Sequence, residues 1–127
     1  MGLPGAFGVG AKREIAAADA DRRLHIAAIT LWEIAMLADR QRIQIPLPAT
    51  RWLEDALRLT GVHVITLDTH VAGTSGSLAM HGDPADRLIV ASALVYNHIL
   101  CTQDEKILAY AALHPELHVL PLRGTPE

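Results

Sequence analysis

The feature that most constrains the fold of this 127-residue chain is the alternation of short apolar runs with longer segments of helical periodicity. Each run is only five or six residues long, a length that suits a buried strand better than a helix. Strands separated by helices are joined by crossover connections, and such connections produce a parallel sheet. The four runs are LHIAAI at 24–29, VHVITL at 62–67, HILCT at 98–102 and LHVLPL at 117–122.

The segments between these runs carry helix signals. Half of the residues are hydrophobic and only 4% are aromatic, so the core must be built mainly from Ala, Leu, Ile and Val, as in helices packed on a sheet. The predicted fold class is α/β, a parallel sheet covered by helices on both faces in three layers, formed by one domain over 1–127 with an irregular or disordered 1–9. The predicted helices are 11–21, 30–40, 49–59, 69–80, a long helix that begins inside HGDPADRLIVASA and runs to about 97, and a short one that Asp104 caps and that runs to 110.

Several acidic residues stand at predicted helix starts, where a structural interpretation is available for each. Asp83 is a good N-cap, with Asp86 in the first turn of the helix that follows. Glu33 would complete a capping box with Thr30, and Asp104 would cap the next short helix. Taken one at a time, these acids are more typical of helix caps than of catalytic groups.

Taken together, the acids suggest a cation site. Groups that follow parallel strands gather at the carboxyl edge of the sheet, which brings Glu33, Asp86 and Asp104 toward one place. Clustered carboxylates repel one another, so proteins keep such clusters mainly where a cation binds them. Oxygen ligands without thiolate or paired imidazole favour Mg²⁺ or Mn²⁺ over zinc. Such an ion would activate water against a phosphodiester.

Three segments, in order and in spacing, carry a resemblance to a known family. They are ITLWEIAML, HGDPADRLIVASALV and ILCTQDEKILAY, and from about 10 to 122 the chain resembles the PIN domain, in particular the VapC-type toxins of bacterial toxin-antitoxin pairs. The resemblance implies a parallel sheet with helices on both sides. It also implies a magnesium-dependent endoribonuclease that a cognate antitoxin inhibits.

The resemblance also implies roles for individual residues. It assigns catalytic and metal-binding roles to three acids and a helper role at the same site to Asp83, with a hydrogen-bonding threonine near the substrate. An arginine beside Asp86 is, by its position, the candidate for a phosphate contact. The three acids are Glu33, Asp86 and Asp104, the threonine is Thr102, and the arginine is Arg87. Many relatives carry an arginine where this chain has Gln103.

The family pattern contains one further acid, an aspartate at the end of a first strand, and this sequence has no match for it. The first strand and the first helix of the family are therefore expected to be missing. Loss of that central strand leaves two neighbouring strands without backbone partners, so the sheet must close up, borrow a strand, or reflect a misplaced start. LDTHVA at 67–72 imitates the lost motif, but Asp68 is interpreted as a helix cap because its strand lies too far from the gap.

These observations leave three functional hypotheses. The first is a metal-dependent ribonuclease that acts on RNA as the toxin of a type II toxin-antitoxin pair. The second is a degenerate PIN protein that no longer cuts but dimerises and binds an antitoxin. The third is a DNA-directed or flap nuclease, which the small size makes less attractive. A homodimer is expected, and the single cysteine, Cys101, predicts a buried thiol in the cytoplasm, with no membrane association.

Overall fold

The computed structural model describes residues 8–46, 48–80 and 82–123. Helices and strands alternate along these residues in the order that the sequence predicts, which confirms the α/β class. They are α1 (Val9–Ala20), β1 (His25–Ala27), α2 (Ala28–Asp39), α3 (Ala49–Thr60), β2 (His63–Ile65), α4 (Thr69–Ser77), α5 (Pro84–Tyr96), β3 (Leu100–Thr102), α6 (Glu105–Leu113) and β4 (Val119–Pro121). Residue 9 of the predicted irregular segment belongs to α1, and 1–7 lie outside the described residues.

Local sequence signals explain several of the helix ends. α5 begins with Pro84, whose missing N–H costs nothing at a first helical position. α3 ends at Gly61, where φ is 70°, a left-handed conformation that glycine adopts without a Cβ clash. α5 ends at Asn97, which has φ 53° and belongs to the residue types that tolerate this conformation. These boundaries therefore follow from a few residues each.

The strands form two parallel pairs and not one continuous sheet. β1 pairs with β2 in the register His25↔His63, and β3 pairs with β4 in the register Leu100↔Val119. No ladder joins β1 to β3 within the described part of the chain. The parallel direction confirms the prediction, and the sheet does not close across the place of the expected missing strand.

The hydrophobic core lies around α5, α6 and the second strand pair. It is formed by Met80, Val90, Ala93, Ile107, Tyr110 and Leu117, and Leu100 and Val119 pack against it. α2 and α3, which accompany the first pair, contain no buried residue anywhere in their described spans. The second half of the chain is thus the better packed half.

Cys101 differs from the sequence-based expectation. The thiol was predicted to be buried because it lies in an apolar run, but the residue is exposed at the middle of β3. The prediction was wrong because β3 belongs to a two-stranded pair with β4, in which it is not covered as an interior strand of a wider sheet would be. As for membrane association, none of the helices in the described ranges is long and apolar enough to span a bilayer.

Candidate active site

Two of the four candidate acids cap helices through their side chains. Asp83 Oδ1 accepts a hydrogen bond of 3.0 Å from the N–H of Asp86 at the start of α5. Asp104 Oδ1 accepts one of 3.0 Å from the N–H of Ile107 at the start of α6. Both predicted caps are confirmed. Each cap uses one carboxylate oxygen, so capping leaves the second oxygen of each acid for another partner.

Glu33 does not have the capping role that the sequence suggests. α2 begins at Ala28, two residues before Thr30, and its N-cap is Ala27, which makes no side-chain cap bond. The predicted Thr30–Glu33 capping box is therefore wrong, because both residues already lie inside the helix. The Glu33 carboxylate is half-buried on α2 without a structural task at the helix start.

Two of the four acids, Glu33 and Asp86, have ionisation equilibria that burial and neighbouring carboxylates disturb. Partial burial raises the pKa of Glu33, and the charges of Asp83 and Asp86 raise it further. Partial burial also raises the pKa of Asp86, together with the charges of Asp83 and Asp104, while Lys106 acts in the opposite direction. Asp83 thus acts on both Glu33 and Asp86, while Asp104, the N-cap of α6, acts on Asp86.

This donor set suits a hard divalent cation by its chemistry, although its side chains are not gathered as a finished ligand cage. In the part of the chain that the structure describes, no three His, Cys, Asp or Glu side chains form a group placed to hold a metal ion. Carboxylate oxygens are nevertheless the ligands that Mg²⁺ and Mn²⁺ prefer, and a bound cation would stabilise the charged forms of Glu33 and Asp86. The assignment of Glu33, Asp86 and Asp104, with Asp83, as metal ligands therefore stays a prediction.

The loop between β3 and α6 is shaped by two side-chain hydrogen bonds. Thr102 Oγ1 accepts a hydrogen bond of 3.0 Å from the N–H of Asp104, which fixes the loop that presents this acid. Gln103 Oε1 accepts one of 2.6 Å from the N–H of Arg123 beyond β4. Thr102 therefore orients Asp104, and Gln103 ties the loop to the neighbouring chain segment.

Gly82 is a site residue that the sequence interpretation missed. Its φ is 150°, in a region that residues with a Cβ rarely adopt. A Cβ at this position would stand 3.9 Å from Asp86 Oδ2. A glycine directly before an N-cap aspartate is the signal in the sequence, and it allows the chain to turn beside the acids.

Arg87 is occupied inside the protein. Its guanidinium donates to the carbonyl oxygens of Ser75 at 3.1 Å, Gly76 at 3.3 Å and Leu78 at 2.9 Å, and also to that of Met80. Three of these carbonyls lie at the C-terminal end of α4, where helical carbonyls lack partners within the helix. The phosphate contact stays a prediction, and the observed bonds give Arg87 a structural task as the cap of α4.

Asp68 lies apart from the four acids. Its Oδ1 accepts a hydrogen bond of 2.9 Å from the N–H of Val71 at the start of α4, which confirms the predicted cap. Its other oxygen accepts a hydrogen bond from the Tyr96 hydroxyl. The Tyr96 hydroxyl and the Val71 N–H hold the pKa of Asp68 below its ordinary value, the opposite direction from Glu33 and Asp86.

Three histidines that sequence spacing did not connect meet at the amino ends of the strands. The ring centroid of His25 lies 5.1 Å from that of His63 and 4.2 Å from that of His98. Partial burial and the neighbouring His25 hold the pKa of His98 below its ordinary value. No spacing rule predicts this group, because its members come from three segments that only the tertiary structure brings together.

Comparison with known proteins identifies the family of this chain. The PIN domain model matches residues 8–113. The chain is also similar to Ribonuclease VapC22 of Mycobacterium tuberculosis (strain ATCC 25618 / H37Rv), with 36% identity over 94 residues, which cover 72% of this chain and 69% of that protein. The matched region contains all four candidate acids and the strands that position them. The chain therefore belongs to the PIN domain family.

Proposed function

We propose that this protein is a metal-dependent endoribonuclease that hydrolyses RNA phosphodiester bonds as the toxin of a type II toxin-antitoxin pair. The observation that carries the proposal is that partial burial and neighbouring acids raise the pKa values of Glu33 and Asp86, two carboxylates that come from separate helices. Acids that serve only as caps have no reason to converge from separate elements. Membership of the PIN family and the similarity to a ribonuclease of the VapC type support the same activity.

Each acid has a distinct task in this proposal. Asp86 and Glu33 supply half-buried carboxylates from the start of α5 and from the second turn of α2. Asp104, whose backbone N–H donates to the hydroxyl of Thr102, supplies a carboxylate from the loop between β3 and α6. When bound there, Mg²⁺ or Mn²⁺ lowers the pKa of water and neutralises charge on the phosphodiester.

The same acids create a requirement for a cation before RNA can bind. RNA carries a negative charge on each phosphate, and the cluster formed by Glu33, Asp83, Asp86 and Asp104 would repel it. The net charge of −3 gives no compensating attraction over the rest of the chain. Cleavage should therefore require a divalent cation even at saturating RNA concentration.

We further propose that the protein is a cytoplasmic homodimer and that its antitoxin holds it inactive.

The competing hypothesis of a degenerate PIN protein is favoured by one observation, the division of the sheet into two pairs. Because no ladder joins the two pairs in the described residues, fewer backbone bonds fix the elements that carry the carboxylates. A degenerate protein would fold and bind its partner but would show no cleavage at any concentration of Mg²⁺ or Mn²⁺.

Aspartate-to-asparagine variants separate cation binding from helix capping, because asparagine is as good an N-cap as aspartate. We expect Asp104→Asn to keep the stability of α6 and to lose Mg²⁺-dependent RNA cleavage by at least about a hundredfold, as one lost ligand would imply. Asp68→Asn is the matched control, since it changes a cap of the same kind outside the cluster. Glu33→Gln and Asp86→Asn should behave like Asp104→Asn.

The measurements are cleavage of a mixed RNA and Mg²⁺ binding by calorimetry, each with the urea unfolding curve of the same variant. Equal loss of cleavage in Asp68→Asn and Asp104→Asn would show that the acids act only through folding. If the unmodified protein cleaves no RNA at any Mg²⁺ or Mn²⁺ concentration, the hypothesis of a degenerate PIN protein is supported instead.

A further inference from the structure

The segment that joins α4 to α5 carries one of the four acids of the candidate site. α4 ends at Ser77, and the chain continues through Leu78 and Met80 to Gly82 and Asp83. Asp83 is the exposed N-cap of α5, so the path of the preceding chain determines where its carboxylate stands. Whatever holds this connecting segment therefore also holds Asp83.

Arg87, in the first turn of α5, holds the backbone of the connecting segment. Its Nε donates to the carbonyl oxygen of Ser75 at 3.1 Å, in the last turn of α4. Its other guanidinium nitrogens donate to the carbonyl of Leu78 at 2.9 Å and to that of Met80. The bonds thus follow the chain from the end of α4 to a point two residues before Gly82. The turn of α5 that carries Asp86 is tied to the chain that leads into it.

The turn at Gly82 needs such support. Glycine has more backbone freedom than any other residue, and Gly82 adopts φ 150°, so its conformation is fixed only if both sides of it are held. On the downstream side, Asp83 Oδ1 accepts a hydrogen bond of 3.0 Å from the N–H of Asp86. On the upstream side, the Met80 side chain lies in the core and its carbonyl accepts from Arg87. Arg87 therefore supplies a polar restraint on the upstream side.

The hydrogen bonds of Arg87 leave little capacity for a phosphate. A guanidinium has five N–H donors, and four of them are directed at the carbonyls of the chain between α4 and α5. At most one N–H remains, whereas a bidentate contact to a phosphate takes two. A phosphate contact of that kind would have to release at least one carbonyl. The geometry thus favours a role on the backbone over a role on the substrate.

The charge of Arg87 acts on a different part of the protein from the acids. It acts to lower the pKa of Tyr110, a core residue of α6, against the effects of burial and of Glu116. The cation whose charge acts to lower the pKa of Asp86 is Lys106. Arg87 therefore follows Asp86 in the sequence without serving as the counter-charge of its carboxylate.

We propose that Arg87 is a positioning residue of the candidate active site, which places the Asp83 carboxylate beside Asp86 and Glu33 by holding the chain between α4 and α5. Asp83 is the acid whose charge acts on both Glu33 and Asp86, so its displacement would disturb the whole group. The catalytic meaning of this role rests on the proposed function. The placement itself requires neither metal nor RNA and can be measured without them.

Amide exchange of the full chain without metal, followed by NMR, tests the placement against an internal control. The N–H of Asp86 donates to Asp83 Oδ1 at 3.0 Å, and the N–H of Ile107 donates to Asp104 Oδ1 at the same distance of 3.0 Å. Arg87→Met should raise the ratio of the Asp86 to the Ile107 exchange rate at least tenfold, because only the first cap depends on the held segment. Equal acceleration of both amides would indicate a loss of overall stability alone and would overturn the proposal.

Two further variants complete the exchange experiment. Arg87→Lys keeps the charge but lacks the planar fork that reaches several carbonyls at once. If Arg87→Met does not fold, as judged by circular dichroism, Arg87→Lys decides the question, and its exchange ratio should rise at least threefold. Arg58→Met is the matched control, because Arg58 forms an exposed ion pair with Asp55, and it should leave the ratio unchanged. The proposal is wrong if the ratio does not rise in folded Arg87→Lys, or if it rises equally in Arg58→Met.

Two binding measurements separate positioning from a phosphate contact. Mn²⁺ binding by calorimetry should weaken at least tenfold in folded Arg87→Met, as expected when a residue that orients a ligand is lost, and stay unchanged in Arg58→Met. Binding of a fluorescein-labelled mixed RNA in Ca²⁺ should keep its salt dependence in Arg87→Met. Loss of one phosphate contact would instead reduce the slope of log affinity against log salt by about 1. Such a reduced slope, or an unchanged Mn²⁺ affinity, would contradict the proposal.

Failure of the proposed function would give a different result. If the unmodified chain binds no Mn²⁺ and cleaves no RNA, the nuclease proposal fails. The ratio of the Asp86 to the Ile107 exchange rate still decides, in that case, whether Arg87 places Asp83. An increased ratio in a chain without metal binding would therefore support the positioning role and reject the nuclease.

Discussion

Replacing Arg87 with methionine should lower the free energy of unfolding by about 3 kcal/mol, because it removes the cap of α4 while keeping an apolar side chain of similar length. The guanidinium donates to four carbonyls, of which those of Ser75 at 3.1 Å and Leu78 at 2.9 Å have ordinary hydrogen-bond lengths. A hydrogen bond to a charged group contributes about 1.5–3 kcal/mol. We count two such bonds at the lower value, since all four share one partly exposed side chain.

The loss is large relative to the stability of a domain of this size, which is on the order of 5–15 kcal/mol. It should appear in urea unfolding as a lower midpoint with an unchanged slope. Exchange of the α4 amides should quicken more than that of the α6 amides, because the capped carbonyls belong to α4 and the following turn. The effect on structure is thus expected to be strongest at one helix.

Two further variants distinguish the fork geometry of arginine from its charge. Arg87→Lys keeps the charge but has no planar fork, and should lose about half as much stability as Arg87→Met. Arg58→Met is the matched control, since Arg58 forms only an exposed 3.3 Å ion pair with Asp55 and should cost less than about 0.5 kcal/mol. A change of less than about 0.5 kcal/mol in Arg87→Met would refute the capping role.

Other predictions concern charge and backbone conformation. Without metal, Glu33→Gln should raise the free energy of unfolding near neutral pH. Folding raises the pKa of Glu33, so the folded state favours the protonated carboxyl group, and its stability falls as pH rises through the folded pKa. Glutamine stays neutral and avoids this loss. Urea unfolding at acidic and neutral pH checks this, and a gain that persists at acidic pH contradicts it. Tyr96→Phe should instead lower the free energy of unfolding at neutral pH, because the hydrogen bond that it removes favours the charged form of Asp68. The difference should fade at acidic pH, where Asp68 is protonated. A difference that does not depend on pH would exclude this cause. Gly61→Ala, at φ 70°, should cost about 1 kcal/mol by thermal unfolding, and no cost would show that α3 can end otherwise.

Sequence signals predicted the element order and most helix ends because these depend on neighbours in the chain. The caps by Asp83 and Asp104 and the left-handed end of α3 at Gly61 each involve residues within one turn of helix. The convergence of the acids followed from a general property of parallel strands. The metal roles of those acids stay predictions that the proposed variants test.

The capping box at Glu33 failed because tertiary pairing sets the end of β1. The ladder with β2 ends at the pair Ala27↔Ile65, and α2 begins directly after it. The helix start therefore lies before Thr30, whatever the local capping preference of that residue. An S/T-x-x-E pattern shows where a cap is possible, but the end of the preceding strand decides where the helix starts.

Arg87 and the histidines show what no local rule contains. The partners of Arg87 lie 7–12 residues before it, in α4 and the segment that follows it, and α4 packs against α5. Parallel pairing brings His25 beside His63, and packing of the two strand pairs brings His98 beside His25. Neither the hydrogen bonds of Arg87 nor the histidine group can be predicted from spacing in the sequence.

The sequence by itself determined which segments become helices and strands, and which acids stand at helix starts, because short-range sterics and hydrogen bonds act within a few residues. Only the tertiary structure decided that Glu33 serves no cap, that Arg87 serves one, and that the strands of the described residues form two separate pairs. Those outcomes depend on backbone groups distant in the chain finding, or lacking, a partner in space.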